Sequence, residues 1–148
     1  MSKIYLAGSC SSEKRTMMQR IATRLRDCGY EVYCPFELKI PNAWDMPQEE
    51  WARKVFDSDI AAIDGCDIFL LITPGRESTA GSNWEQGYAY AKGKYIVVIQ
   101  YTDEATSLMT YCSSNQFTNV NTKYIAEDTI LTLHGGYDFE EKCKTVLT

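Results

Sequence analysis

The chain has 148 residues, 45% of them apolar, enough to build one domain around a single sizeable core. Its net charge of −5 excludes a general binder of nucleic-acid polymers, which needs a basic surface to displace counterions. No apolar run is long enough to span a bilayer, and the N-terminal residues enter a strand pattern directly, without the layout of a signal peptide.

Lys3 to Gly8 is a short apolar run that reads as a first strand. Met17, Ile21 and Leu25 then recur every four residues, which predicts a helix from Ser12 to Asp27 with Ser11 or Ser12 as its cap and Gly29 as its stop. Glu31 to Pro35 reads as a second strand, and Phe36 to Met46, with Pro41, as a loop. Asp45 and Gln48 resemble a capping box, so a second helix is expected from there to about Asp64, ended by Gly65. Cys66 to Thr73 is a continuous apolar strand of the kind buried on both faces. Ser82 to Lys92 is the next helix, closed by Gly93, and Tyr95 to Gln100 another buried strand. Ser107 to Tyr111 reads as a short helix, Thr129 to Leu133 as an edge strand, and Asp138 to Val146 as a closing helix.

Strands alternate with helices, which predicts an α/β fold: a single-domain, flavodoxin-like open parallel sheet of about five strands with helices on both faces. Ligands of such a sheet bind at the carboxyl ends of the strands, where strand order reverses. The loops expected to meet there are Gly8 to Ser12 and Pro74 to Gly81.

Cysteines stand at 10, 28, 34, 66, 112 and 143, with no CxxC pair, and His134 is the single histidine. They read as reduced thiols of a cytoplasmic protein, with no metal site, no cofactor and no histidine-based nucleophilic mechanism expected. The candidate chemistry therefore rests on carboxylates. Glu85 is expected in the opening turn of its helix, where the helix dipole favours the ionised form; it either complements that dipole or acts on an electron-poor carbon. Asp59 falls on the apolar stripe formed by Trp51, Ala52, Val55, Phe56, Ile60 and Ile63. There, lost solvation raises its pKa and suits it to donate a proton, unless a backbone N–H partners it instead. Tyr5 points either at the site or into the core. Gly8-Ser9-Cys10-Ser11-Ser12 is either an anion-binding turn or an ordinary capped turn; it has neither P-loop nor GxGxxG spacing. Trp44 and Trp51 either stack on a planar ligand or pack as core or lid.

Together, Lys3-Ile4-Tyr5-Leu6-Ala7-Gly8, Asp59 eight residues before Asp67-Ile68, Trp84-Glu85-Gln86-Gly87-Tyr88-Ala89-Tyr90-Ala91-Lys92-Gly93-Lys94 and Ser107-Leu108-Met109 resemble the nucleoside 2-deoxyribosyltransferase superfamily over residues 3 to 110. The resemblance implies that Glu85 is the nucleophile at the anomeric carbon, that Tyr5 orients it, and that Asp59 contacts the sugar and assists proton transfer. The implied reaction is retaining glycosyl transfer, with a second nucleophile releasing the captured sugar. An acceptor base makes the enzyme a transferase and water makes it a hydrolase.

Two positions depart from the transferase pattern. Thr79 stands where those enzymes carry an aspartate six residues before the glutamate, and Ser107 where they carry an asparagine donated across a subunit interface. The related branch that hydrolyses nucleoside 5′-monophosphates has hydroxyl residues at both places and a Gly-Ser turn after the first strand, like Gly8-Ser9. The substrate-binding set implied is thus Gly8, Ser9, Ser11, Gly75, Arg76, Thr79, Gly81 and Ser107, with Arg76 either serving phosphate or solvated. The expected partners are a nucleoside or nucleotide, a free base, and at least one further copy of the chain. The competing class is a non-catalytic nucleotide or flavin module. A signalling receiver would want an acidic cluster after the first strand, which Gly8-Ser9-Cys10-Ser11 does not supply.

Overall fold

The computed structural model describes residues 2–8, 12–75 and 80–119. Five parallel strands, β1 (Lys3–Ala7), β2 (Glu31–Tyr33), β3 (Ile68–Thr73), β4 (Tyr95–Gln100) and β5 (Gln116–Asn119), form one sheet in the order β2-β1-β3-β4-β5. Helices α1 (Ser12–Asp27), α2 (Gln48–Gly65), α3 (Ala80–Ala91) and α4 (Leu108–Cys112) connect them. This is the expected flavodoxin-like architecture, with strand order reversing between β1 and β3.

β3 and the apolar part of β4 are buried along their length because helices cover both sheet faces, which is why both read as unbroken apolar runs. Alternation along β1 divides the core. Ile4 and Leu6 pack with Met17, Met18, Ile21 and Leu25 of α1 on one face, whereas Tyr5 and Ala7 pack with Phe69, Ile63 of α2 and Ala89 of α3 on the other. Helix α1 ends where Gly29 takes a φ of 97°, so that the Tyr30 N–H reaches back to the Leu25 carbonyl at 3.1 Å.

Two expectations need correction, the cap of α2 and the start of α3, and one strand was not foreseen. Asp45 does not cap α2: it lies in a 3-10 turn (Ala43–Asp45) within the predicted loop, and the helix begins after Pro47 with no side-chain cap. Pro47 takes the N-cap place with extended backbone, and its carbonyl accepts from the Trp51 N–H at 3.0 Å. The fifth strand of the described sheet is Gln116–Asn119, a segment too short and polar to stand out as a strand. The edge strand and closing helix expected at 129–133 and 138–146 lie outside the described residues. Finally, α3 begins by Ala80, which moves Glu85 past the first turn.

At the strand tips, the buried Gln100 side chain ties two loops together. Its amide nitrogen donates to the carbonyls of Thr102 (3.1 Å) and Glu104 (2.7 Å), and its oxygen accepts from the Thr106 hydroxyl at 2.7 Å. The Thr102 hydroxyl donates to the Pro74 carbonyl in the loop after β3. Gly75 sits against this amide with a φ of 107°, and a Cβ there would stand 3.1 Å from the Gln100 nitrogen, so backbone conformation and space both select glycine.

Candidate active site

In β1, Tyr5 faces α2 and α3, and its ring is fully buried. Parallel register sets it beside Tyr33 of β2 and Phe69 of β3. The three rings stack, with centroids 5.4 Å apart on each side of Tyr5. The alternatives left open for Tyr5 are thus both realised: its ring is core and its hydroxyl is at the site. The hydroxyl donates to Oε2 of Glu85. The neighbouring Tyr33 hydroxyl donates to Oδ1 of Asp59 at 2.8 Å, so the partner of Asp59 is a phenol rather than a backbone N–H.

Asp59 and Glu85 line one cleft of about 460 Å³ between α2 and α3, with Trp51, Phe56, Gly81 and Trp84 among its walls. Apart from Ile63, the apolar stripe of α2 is not buried against the sheet as such stripes usually are. Ile63 is its only buried member, and Trp51 is 41% exposed. The stripe lines the cleft instead, giving the two carboxyl groups poorly solvating surroundings.

The electrostatics follow from that placement. Burial raises the Glu85 carboxyl to about 7, opposed by the Tyr5 hydrogen bond and reinforced by the nearby charge of Asp59. Desolvation therefore dominates, and the expectation that the helix dipole keeps Glu85 readily ionised is not met; the residue lies beyond the first turn, where the dipole acts. Burial also pushes Asp59 above the usual carboxylate range, as its place on the stripe predicts, and the Tyr33 hydroxyl opposes that rise. Both tyrosines are held far from ionisation, chiefly by burial and also by the carboxylates they face. Each is a fixed hydrogen-bond donor at any ordinary pH. A desolvated carboxylate beside such a donor can attack a carbon that gains positive charge as its leaving group departs.

Of the other sequence-derived candidates, Gly81 lines the cleft. Gly8 accepts a hydrogen bond from the Ser82 hydroxyl at 3.2 Å through its carbonyl, and Gly75 belongs to the Gln100 clasp rather than to the cleft wall. Ser107 lies on the other flank of α3, in a separate groove with Asn83, Gln86 and Tyr90, so within one chain it does not join Glu85. Ser9, Ser11, Arg76 and Thr79 lie outside the described residues. Trp44 is 99% exposed, hence not core; it borders a hollow that shares Trp51 with the cleft. Sequence reasoning missed Tyr33. The available signal was its parity: in paired parallel strands it occupies the same face as Tyr5.

A protein-family model described as nucleoside 2-deoxyribosyltransferase matches residues 4–136. A curated nucleoside deoxyribosyltransferase of Lactobacillus johnsonii (strain CNCM I-12250 / La1 / NCC 533) is 29% identical over 69 residues, covering 45% of this chain and 46% of the relative. That match thus spans just under half the relative's length. Among solved structures, a 2-deoxyribosyltransferase from Bacillus psychrosaccharolyticus is 27% identical, with a TM-score of 0.76 over 95% of this chain and 96% of its own. The CMP N-glycosidase BcmB of Clostridium botulinum shares the fold at 20% identity, with a TM-score of 0.61 over 86% and 97% of the two chains. The resemblance carried by the Tyr5, Asp59 and Glu85 segments therefore holds along most of the sequence, and the chain belongs to the nucleoside 2-deoxyribosyltransferase family.

Proposed function

We propose that the protein cleaves the N-glycosidic bond of 2′-deoxynucleosides and transfers the deoxyribosyl group to an acceptor base through a covalent intermediate on Glu85. The observation that carries this reading is the pairing of Glu85 with the Tyr5 hydroxyl in the apolar cleft that also holds Asp59. Tyr5 occupies Oε2 of Glu85, which leaves Oε1 for the anomeric carbon. As the bond to the base lengthens, positive charge grows on the sugar, and a poorly solvated carboxylate stabilises it before closing the ester. The bonding electrons leave with the base, whose protonation Asp59 assists. In the second half, a nitrogen of the acceptor base attacks the anomeric carbon, displaces Glu85 as a carboxylate and loses its proton. No cofactor is required.

The family membership and the similarity to the Bacillus psychrosaccharolyticus 2-deoxyribosyltransferase support the transferase reading. A second reading, hydrolysis of nucleoside 5′-monophosphates to free base and sugar phosphate, is favoured by the hydroxyl side chains of Thr79 and Ser107 at the positions where the transferases carry aspartate and asparagine. In that reading Gly8, Ser9, Ser11, Thr79 and Ser107 hold the phosphate, with Arg76 as its counter-charge. Either way, the placement of Ser107 outside its own chain's cleft supports a homodimer or larger assembly in which it completes a neighbour's site. We place the reaction in the cytoplasm, reading the cysteines as reduced; among the described residues Cys28, Cys66 and Cys112 form no disulfide.

Chromatography of the products decides between the readings. A deoxynucleoside incubated with a different free base should yield a new nucleoside. Deoxynucleoside monophosphates giving base and sugar phosphate instead would establish the hydrolase. Turnover of neither, with Glu85→Ala indistinguishable from wild type, would remove the whole class.

A further inference from the structure

We propose that Tyr33 is a positioning residue of this site: its hydroxyl holds the Asp59 carboxylate at the cleft as the Tyr5 hydroxyl holds Glu85. The role in turnover rests on the glycosidic reading above; the contact itself does not.

The two tyrosines are directly paired in the β1–β2 register, with ring planes 19° apart, and their hydroxyls serve two acids carried by different helices. Tyr33 fixes Oδ1 of Asp59 at 2.8 Å, leaving the second carboxylate oxygen for substrate. The titratable groups facing Asp59 are thus Tyr33 from β2, and Glu85 of α3 with Tyr5 of β1 across the cleft. A phenylalanine at 33 would retain the stacking surface, so the contribution of the hydroxyl is separable from that of the ring. The stack also couples the two acids mechanically. Tyr5 lies against Tyr33, so the side chains that orient Glu85 and Asp59 brace one another rather than moving independently.

The test is Tyr33→Phe in the full chain, read in three ways. Carboxyl 13C NMR follows the Asp59 titration without substrate; removing a donor that favours the carboxylate raises its midpoint. Steady-state kinetics with a 2′-deoxynucleoside and a free base should show kcat/KM falling about tenfold, with an unchanged thermal midpoint. The same substitution placed on Asp59→Asn should change the rate by less than about twofold, because the group it positions is gone. An Asp59 midpoint that does not move overturns the proposal, and so does an equal loss in the Asp59→Asn background. A wild-type chain that turns over neither nucleosides nor their monophosphates overturns the glycosidic reading instead. The titration then decides the Tyr33–Asp59 link by itself: a raised midpoint upholds it and an unmoved one defeats it.

Discussion

The two faces of the sheet are built differently. On the α1 face, the apolar side chains of β1, β3 and β4 meet those of α1 in a continuous buried cluster that extends to Tyr30, Val32 and Cys34. On the other face, α2 buries only Ile63, and Trp51, Phe56 and Trp84 remain exposed around two titratable acids. Both faces hold a buried cluster, but only the α1 face is closed over by its helix. The other leaves apolar surface uncovered at the place where a ligand can cover it, and it carries the carboxylates whose charge that surroundings disfavour.

Substitutions on the two faces should therefore fail in different ways. The largest effect belongs to Glu85→Ala, expected to lower kcat by roughly a thousandfold or more with little change in thermal midpoint, and to abolish any sugar adduct detected by mass spectrometry on the Glu85 peptide after acid quench. On the opposite face, Leu6→Ala removes a fully buried side chain. It should destabilise the protein by about 2–5 kcal/mol in denaturant titrations while the rate per folded molecule stays near wild type. A Leu6→Ala variant that folds normally but loses turnover would break the division between the faces.

Tyr5→Phe comes next, with an expected loss in kcat of about ten- to a hundredfold. Its diagnostic is the pH–rate profile. In the proposed mechanism the nucleophile is ionised Glu85, so turnover should fall as pH drops through about 7; without the Tyr5 donor that limb should move to higher pH. Glu85→Gln reads the same electrostatics through stability. The folded carboxyl titrates at about 7 against an ordinary value of 4.5, so the folded state holds its proton more tightly. Wild type accordingly loses stability as pH rises from 4.5 through about 7. The glutamine variant should be more stable at pH 8 by about 1–3 kcal/mol, with the difference gone below pH 4.5. The smallest effect on the fold is expected for Trp51→Ala, which should raise KM about tenfold and shift stability by less than about 1 kcal/mol.

Much of this division was legible in the residues, and the exceptions are instructive. β3 and β4 announce themselves because burial on both faces leaves no room for polar alternation. The stripe on α2 was equally plain, yet periodicity reports which side of a helix is apolar, not whether anything covers it. The stripe marks which side of α2 is apolar, and in the folded chain that side is mostly cleft wall. The raised pKa of Asp59 follows from its place on that stripe. The titration of Glu85 near 7 does not follow from sequence position, because the start of α3 and the depth of the cleft are properties of the folded chain. Tyr33 escaped notice for a related reason: a residue becomes the neighbour of Tyr5 only once β1 and β2 choose their register. Glu85, Asp59 and Tyr5 were each candidates from the residues, each with an ordinary structural alternative, and the family resemblance gave them one joint role.

The Gln100 clasp gives the strand tips a shared anchor. One amide secures the segment from Thr102 to Thr106, which runs on to Ser107, and seats Gly75, from which the chain proceeds towards α3 and Glu85. The end of the β3 loop at Gly75 and the segment that leads to Ser107 thus meet at a single side chain. Removing the Gln100 amide would take away the support of Gly75 and of the Thr102–Thr106 segment in one substitution.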